Sequence, residues 1–376
     1  MPVSEPALSG RELARQFHAD IVAPLLARSM PGLRYAAGRL GSGSDVLGFD
    51  DEMSRDHDWG CRLTLLVGEH DRDAVPAIRG QLEQELPESY QGLPVRFPVT
   101  WDSSLSHQID IATVADFAIG RLGVDPAAGL SPADWLILTG QSVLEVTRGP
   151  VFTDGTGELT RVRAMLRWYP PDIERYILAA GWQRLSQQMP LAGRAGERGD
   201  ELGSRLICAQ LAGDLISLAF ALCREWQPYA KWRGTAFQAL PIAADVAGPL
   251  SIATTAPDWR ERESGLAGAC EVLLAAQRAR GLPAPAVAVV PFWDRPYRTV
   301  DDAIQQALLA GITDPYVARL PAGIGSVEQW SDNTDVLADP TRRRALRAAY
   351  EAWADGGDDA ALPEPGGGRA PTTASS

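Results

Sequence analysis

Two carboxylates one residue apart, Asp56 and Asp58, follow the pair Gly41-Ser42 after a spacer of about thirteen residues. If residues 56–67 form a strand, alternation puts both carboxylates on one face and turns His57 and Trp59 to the other. Carboxylates roughly 4 Å apart repel by about 4 kcal/mol at an effective dielectric near 20. A fold keeps such a pair only where a cation compensates it or water separates the charges. A divalent metal is the usual compensator, and oxygen-only ligands suit Mg²⁺, which completes its octahedron with water and phosphate oxygens. The Gly41-Ser42 turn supplies the complementary half, because small residues let backbone N–H groups and the Ser42 hydroxyl approach an anion. Further on, residues 108–113 alternate in strand fashion with Asp110 between Ile109 and Ile111, which would set a third acid beside the first two. Asp102, in a Ser-rich loop, and Asp116, at a helix start where the helix dipole accounts for it, are its rivals.

Of the 35 basic residues only Lys231 is a lysine. A compact ammonium and a planar guanidinium are not interchangeable, so this position draws notice. It lies in Trp226-Gln227-Pro228-Tyr229-Ala230-Lys231-Trp232, whose aromatics read as core between two halves of the chain. An ammonium among Trp and Tyr is costly unless it meets an anion, either a triphosphate or a carboxylate partner. Alternation turns His57 away from the acids, as a packed histidine, and makes Trp59 a core residue.

The Gly-Ser pair, its spacer and the Asp-x-Asp resemble the nucleotidyltransferase (polymerase-beta-like) superfamily, which includes aminoglycoside nucleotidyltransferases. Residues 46–59, Gly199-Asp200-Glu201-Leu202-Gly203-Ser204-Arg205, Pro228-Tyr229-Ala230-Lys231-Trp232 and residues 326–337 together resemble one bacterial family of it, known mainly as a domain of unknown function. The resemblance spans nearly the whole chain. It implies a nucleotidyltransferase-fold sheet, a third acid on a neighbouring strand, and two Mg²⁺ ions held by Asp56, Asp58 and Asp110.

The elements that must position these residues can be read in outline. Ser9 caps a helix over 10–30, and a short strand over 33–37 leads to the turn. A helix over 73–86 and a strand over 95–100 follow the Asp-x-Asp strand. From residue 125 long helical periods take over: 131–147, 158–168, 171–188, 197–225, 258–280, 299–310 and 341–354. The 197–225 segment is apolar on nearly all sides and marks the centre of a bundle. The expected fold class is α+β, with an N-terminal nucleotidyltransferase-like domain over 1–124, a helical domain over 125–355 and a disordered tail over 356–376.

Composition narrows the function. With 45% hydrophobic residues the chain can bury real cores, and no apolar run approaches the ~18 residues of a membrane span. The start, Met1-Pro2-Val3-Ser4-Glu5, lacks the regions of a signal peptide, so a cytoplasmic protein without membrane contact is expected. A formal charge of −13 opposes bulk nucleic-acid binding. Four cysteines without Cys-x-x-Cys spacing read as buried free thiols. Neither the P-loop nor the dinucleotide fingerprint is present. No histidine follows residue 107, which removes the histidine of a helical ribonuclease module. The leading expectation is a Mg²⁺-dependent nucleotidyltransferase. It would move a nucleoside monophosphate from a nucleoside triphosphate, ATP first, onto a hydroxyl of an unidentified small molecule or protein, releasing pyrophosphate. Gly41, Ser42 and Lys231 would hold the phosphates, and Asp56, Asp58 and Asp110 would be both catalytic and metal-binding. The alternative is a nucleotide-sensing or protein-interaction module of the same fold without turnover.

Overall fold

A computed structural model of the chain describes residues 8–55, 58–100 and 102–356. Asp56 and His57, and the expected disordered tail beyond Gly356, lie outside the described residues.

Four strands form the central sheet: β1 (Tyr35–Gly38), β2 (Leu63–Val67), β3 (Ile109–Thr113) and β4 (Val151–Asp154). Their order is β3-β2-β1-β4, with β1 antiparallel to both neighbours and β2 parallel to β3. All five residues of β2 are buried because both faces of the sheet are covered. Leu63, Leu65 and Val67 share a core with Leu13 and Phe17 of the Gly10–Phe17 helix and with Ile78 and Leu82 of the Val75–Glu85 helix. Leu66, on the other face, joins Phe117 of the Val114–Leu122 helix and Val143 of the Gly140–Thr147 helix. The fold is therefore α+β, with a small mixed sheet toward the N-terminus and helices dominating the rest of the chain.

The first helix is Gly10–Phe17, a π turn over His18–Val22, and Ala23–Ser29. Pro24, with no N–H to donate, sits where the α pattern resumes. The helix expected over 131–147 divides into Pro132–Ile137 and Gly140–Thr147, because Thr139 and Ser142 form a capping box that starts the second piece. A second core gathers Pro171–Glu197, Glu201–Cys223, Ala243–Thr255 and Trp259–Ala279. Pro171–Glu197 runs past the expected stop, through Pro190. Burial of Met189 and Ala192 in this core outweighs the roughly 3 kcal/mol that an interior proline costs. Glu201–Cys223 is central as expected, except that its first turns project Leu202 (70% exposed) and Leu206 (63%). By length and composition it could also cross a membrane, but here it packs in the bundle core. All four cysteines are free, three of them buried.

Contacts cross residue 125, where the helical domain was expected to begin. β4 lies beyond it yet pairs with β1, because the sheet gains a hydrogen-bonded edge from it. The helix Pro340–Asp355 returns to the sheet side, where Arg343 donates to the Arg121 carbonyl at 2.6 Å and Arg347 meets Asp134 at 3.0 Å.

The two faces of Glu201–Cys223 give a direct test. Leu215→Ala, at a fully buried position, should lose roughly 2–5 kcal/mol, while Leu202→Ala should change stability by no more than about 0.5 kcal/mol. Denaturant midpoints with unchanged slopes would read both.

Candidate functional site

The Gly-Ser turn is built around a buried ion pair. Arg39, at the end of β1, grips Asp45 through Nε to Oδ2 at 2.7 Å and Nη2 to Oδ1 at 2.8 Å. The same guanidinium donates to the carbonyls of Leu40 at 2.6 Å and Ser42 at 2.8 Å. Arg11 braces the turn from the first helix through the carbonyls of Asp45 and Val46. Gly41 and Gly43 both have positive φ, +83° and +140°. A Cβ on Gly43 would run into the Asp45 carboxylate and the Arg39 guanidinium, so only glycine fits. The N–H of Gly41 donates to the Glu145 carbonyl. Among the described residues no acceptor takes the N–H groups of Ser42, Gly43 or Ser44.

A cleft of ≈ 170 Å³ opens beside this turn, with Ser42, Gly43, Asp58, Arg62, Lys231 and Trp232 in its walls. Three segments distant in sequence thus meet there: the turn, the loop before β2, and the start of the Ala230–Phe237 helix. Lys231 is exposed, with Nζ 4.9 Å from the centre of the Trp232 ring. No carboxylate pairs with it among the described residues, so the ion-pair alternative for this lysine finds no partner. Trp232 packs on Phe49 at 5.4 Å between ring centroids, and Tyr229 is 48% exposed at the cleft. Of the aromatics read as core, only Trp226 is fully so.

The acids differ from the expected arrangement. The strand expected from residue 56 begins only at Leu63, so Asp58 stands in the preceding loop with φ 55°. Its carboxylate accepts from the Thr100 N–H at 2.6 Å and the Thr100 hydroxyl at 2.7 Å, and these bonds hold the loop off the sheet. Trp59 is half-buried and lines the cleft. Asp110 does lie on β3, opposite Thr64 of β2, and is exposed. Arg121 joins it to the turn, reaching Asp110 Oδ2 at 3.3 Å and Glu145 Oε2 at 3.5 Å while lying against Gly41. Asp110 does not line the cleft with Asp58. Among the described residues no three His, Cys, Asp or Glu side chains assemble as a metal-binding group; Asp56 is not among them. Of the rivals, Asp116 lies in the first turn of a helix capped by Thr113, whose hydroxyl accepts from the Asp116 N–H, and pairs with Arg72, and Asp102 is tied to the Ser104 N–H.

Arg62, Arg39 and Arg121 are the residues that sequence reasoning missed. Burial pushes Arg62 down to about 9, helped by repulsion from Arg39 and Arg121 and opposed by Asp45 and Asp58. It remains cationic near neutral pH. The signal available was positional, an arginine just before a buried strand and just after the Asp-x-Asp.

The turn's brace and the lysine should behave oppositely on removal. Arg39→Met leaves Asp45 buried without its partner and should cost roughly 3–5 kcal/mol, whereas Lys231→Met should leave stability within about 0.5 kcal/mol. Equal losses in urea melts would contradict this division.

The match to a family model covers residues 135–233, and that family is described as a domain of unknown function, DUF4037. The stretch includes the Lys231 wall of the cleft but neither the Gly-Ser turn nor Asp58. No curated protein matches the chain. Among solved structures the chain is similar to the nucleotidyltransferase-like protein from Exiguobacterium sibiricum 255-15, at 12% identity over 71% of this chain and 78% of that chain, with a TM-score of 0.31.

Proposed function

We propose that the cleft binds a nucleoside triphosphate, ATP being the expected one. The protein would transfer its nucleoside monophosphate to a hydroxyl of a small molecule or protein. The observation that carries this reading is the convergence of Ser42, Asp58 and the only lysine on one cleft. The unclaimed N–H groups of Ser42, Gly43 and Ser44 and the Ser42 hydroxyl receive the outer phosphates. Lys231 adds a point charge from the opposite wall. The half-exposed ring of Tyr229 at the cleft is available to a nucleobase.

The donors fit Mg²⁺, since Asp58 and the hydroxyls of Ser42, Ser44 and Ser54 all line the cleft and all are hard oxygens. Asp56, Asp58 and Asp110 would hold the ions, which when bound would acidify the attacking hydroxyl and neutralise charge on the leaving pyrophosphate. In the transfer the acceptor oxygen bonds to the α-phosphorus as the bond to the β-phosphate's bridging oxygen breaks. The hydroxyl proton passes to solvent, and pyrophosphate leaves toward the turn. Binding without turnover is the second reading. It is favoured by the engagement of Asp58 with Thr100 and of Asp110 with Arg121.

Nucleotide binding is tested by thermal melts with ATP and Mg²⁺. At about 100 times its Kd the nucleotide should stabilise wild type by about 2.7 kcal/mol. Asp58→Asn should abolish the gain, and Ser42→Ala should weaken binding by roughly 1–3 kcal/mol. Lys231→Arg should bind more weakly than wild type despite its kept charge, because a planar head does not replace an ammonium. A full wild-type gain in Asp58→Asn removes that carboxylate from the site.

A further inference from the structure

A second cavity, of ≈ 80 Å³, lies in the helical part between Pro171–Glu197, Glu201–Cys223 and the segment carrying Glu328. Its hydrogen-bonding character is lopsided. The donors on its walls are largely spent: Trp168 Nε1 on Glu174 at 2.7 Å, Trp226 Nε1 on the Leu166 carbonyl at 2.9 Å, and Ser217 on the Gly213 carbonyl at 3.1 Å. Arg184 is committed to Asp214 at 2.9 Å and to the Gln329 carbonyl at 2.9 Å. Acceptors remain. Gln227 Oε1 is buried with no partner among the described residues. Asp214, Glu225 and Glu328 place three carboxyls in the lining against the one guanidinium of Arg184. With their indole N–H groups taken, Trp168 and Trp226 have only ring surface to offer, and they pack with Tyr169 at 4.5–5.1 Å between centroids.

A cavity rich in acceptors, poor in donors and walled by aromatic rings suits a ligand with the opposite properties. An ammonium has three donors and no acceptor, and its charge is attracted to both carboxylates and ring faces. We propose that this cavity binds the protonated amine end of a small molecule. Its volume is roughly five times the ~15 Å³ that one water needs, enough for an ammonium on a two-carbon stem. In the transfer reading, this amine would belong to the acceptor: Trp226 and Gln227 line the cavity, and Tyr229, Lys231 and Trp232, a few residues on, line the cleft.

Burial disfavours the ionised forms of two of these acids. Burial raises Glu328 to about 7, although it accepts from the Gly140 N–H at 2.9 Å and from Gln227, with Arg343 and Arg233 near and Tyr169 opposing. Burial also raises Asp214, in spite of Arg184 and Arg233. An incoming cation favours both ionised forms, so amine affinity should rise from about pH 6 to about pH 8, while the amine keeps its proton.

The test is saturable stabilisation of the full chain by ethanolamine hydrochloride, against equimolar sodium chloride and against ethylene glycol. It needs no nucleotide, so failure here and failure of nucleotide transfer are read separately. Wild type should respond to ethanolamine and not to ethylene glycol, more strongly at the higher pH, and Asp214→Asn and Glu328→Gln should each weaken the response about tenfold or more. An equal response to ethylene glycol, no response, or an unchanged response in both variants would overturn the proposal. Should either variant fail to fold, the wild-type comparison of the two probes decides alone.

Discussion

Everything at the cleft depends on the Arg39–Asp45 pair. An arginine almost fully removed from water is expensive unless its donors are met, and Arg39 meets both oxygens of Asp45 and two backbone carbonyls of its own turn. That clamp draws the carbonyls of Leu40 and Ser42 inward, and the next N–H groups along the turn are left without protein acceptors. Such a row of N–H groups is the kind of arrangement that accepts an anion. Arg11 and Gly10 press on the same turn from the first helix, Gly10 donating to Asp50 at 2.8 Å. A buried ion pair is weak ground for stability, but here its geometric role is clear, because it fixes which way the backbone groups of the turn face.

The sheet then sets the distances. Thr64 of β2 lies opposite Asp110 of β3 and touches Leu40 beside the turn, so the third acid and the turn are referred to the same buried strand. Lys231 comes from the helical part by a separate route. The Gly140 N–H binds Glu328, Gln227 crowds the Gly140 backbone where no Cβ would fit, and the Tyr229 N–H reaches Gln141 at 3.3 Å. The segment 226–232 thereby lines both cavities, Trp226 and Gln227 the one and Tyr229, Lys231 and Trp232 the other.

The features legible in the sequence were local. The Gly-Ser turn, the apolar run of β2 and the Ile109-Asp110-Ile111 alternation rest on glycine sterics and strand periodicity, and each stands where those rules put it. The length of the strand before Leu63 was not legible, because alternation says nothing about a side chain such as Asp58 finding Thr100 more than forty residues away. β4 was missed for the same reason: the short Val-Phe-Thr-Asp segment has little pattern of its own, and only pairing with β1 makes it a strand. Pro190 and Pro249 both lie within helices held by a packed core, and the helix over Ala243–Thr255 was not expected. The arginines around the cleft were invisible because arginine is the ordinary cation of this chain. Only the exceptional lysine stood out.

The most direct measurement is pyrophosphate release matched to label transfer. Purified protein would be incubated with Mg²⁺, α-labelled ATP or GTP, and a fractionated metabolite and protein extract. The account predicts pyrophosphate and a labelled acceptor in equal amounts, both absent when Mg²⁺ is chelated. A protein that binds the nucleotide but forms neither product with any fraction would contradict the transferase assignment and leave the cleft a nucleotide sensor.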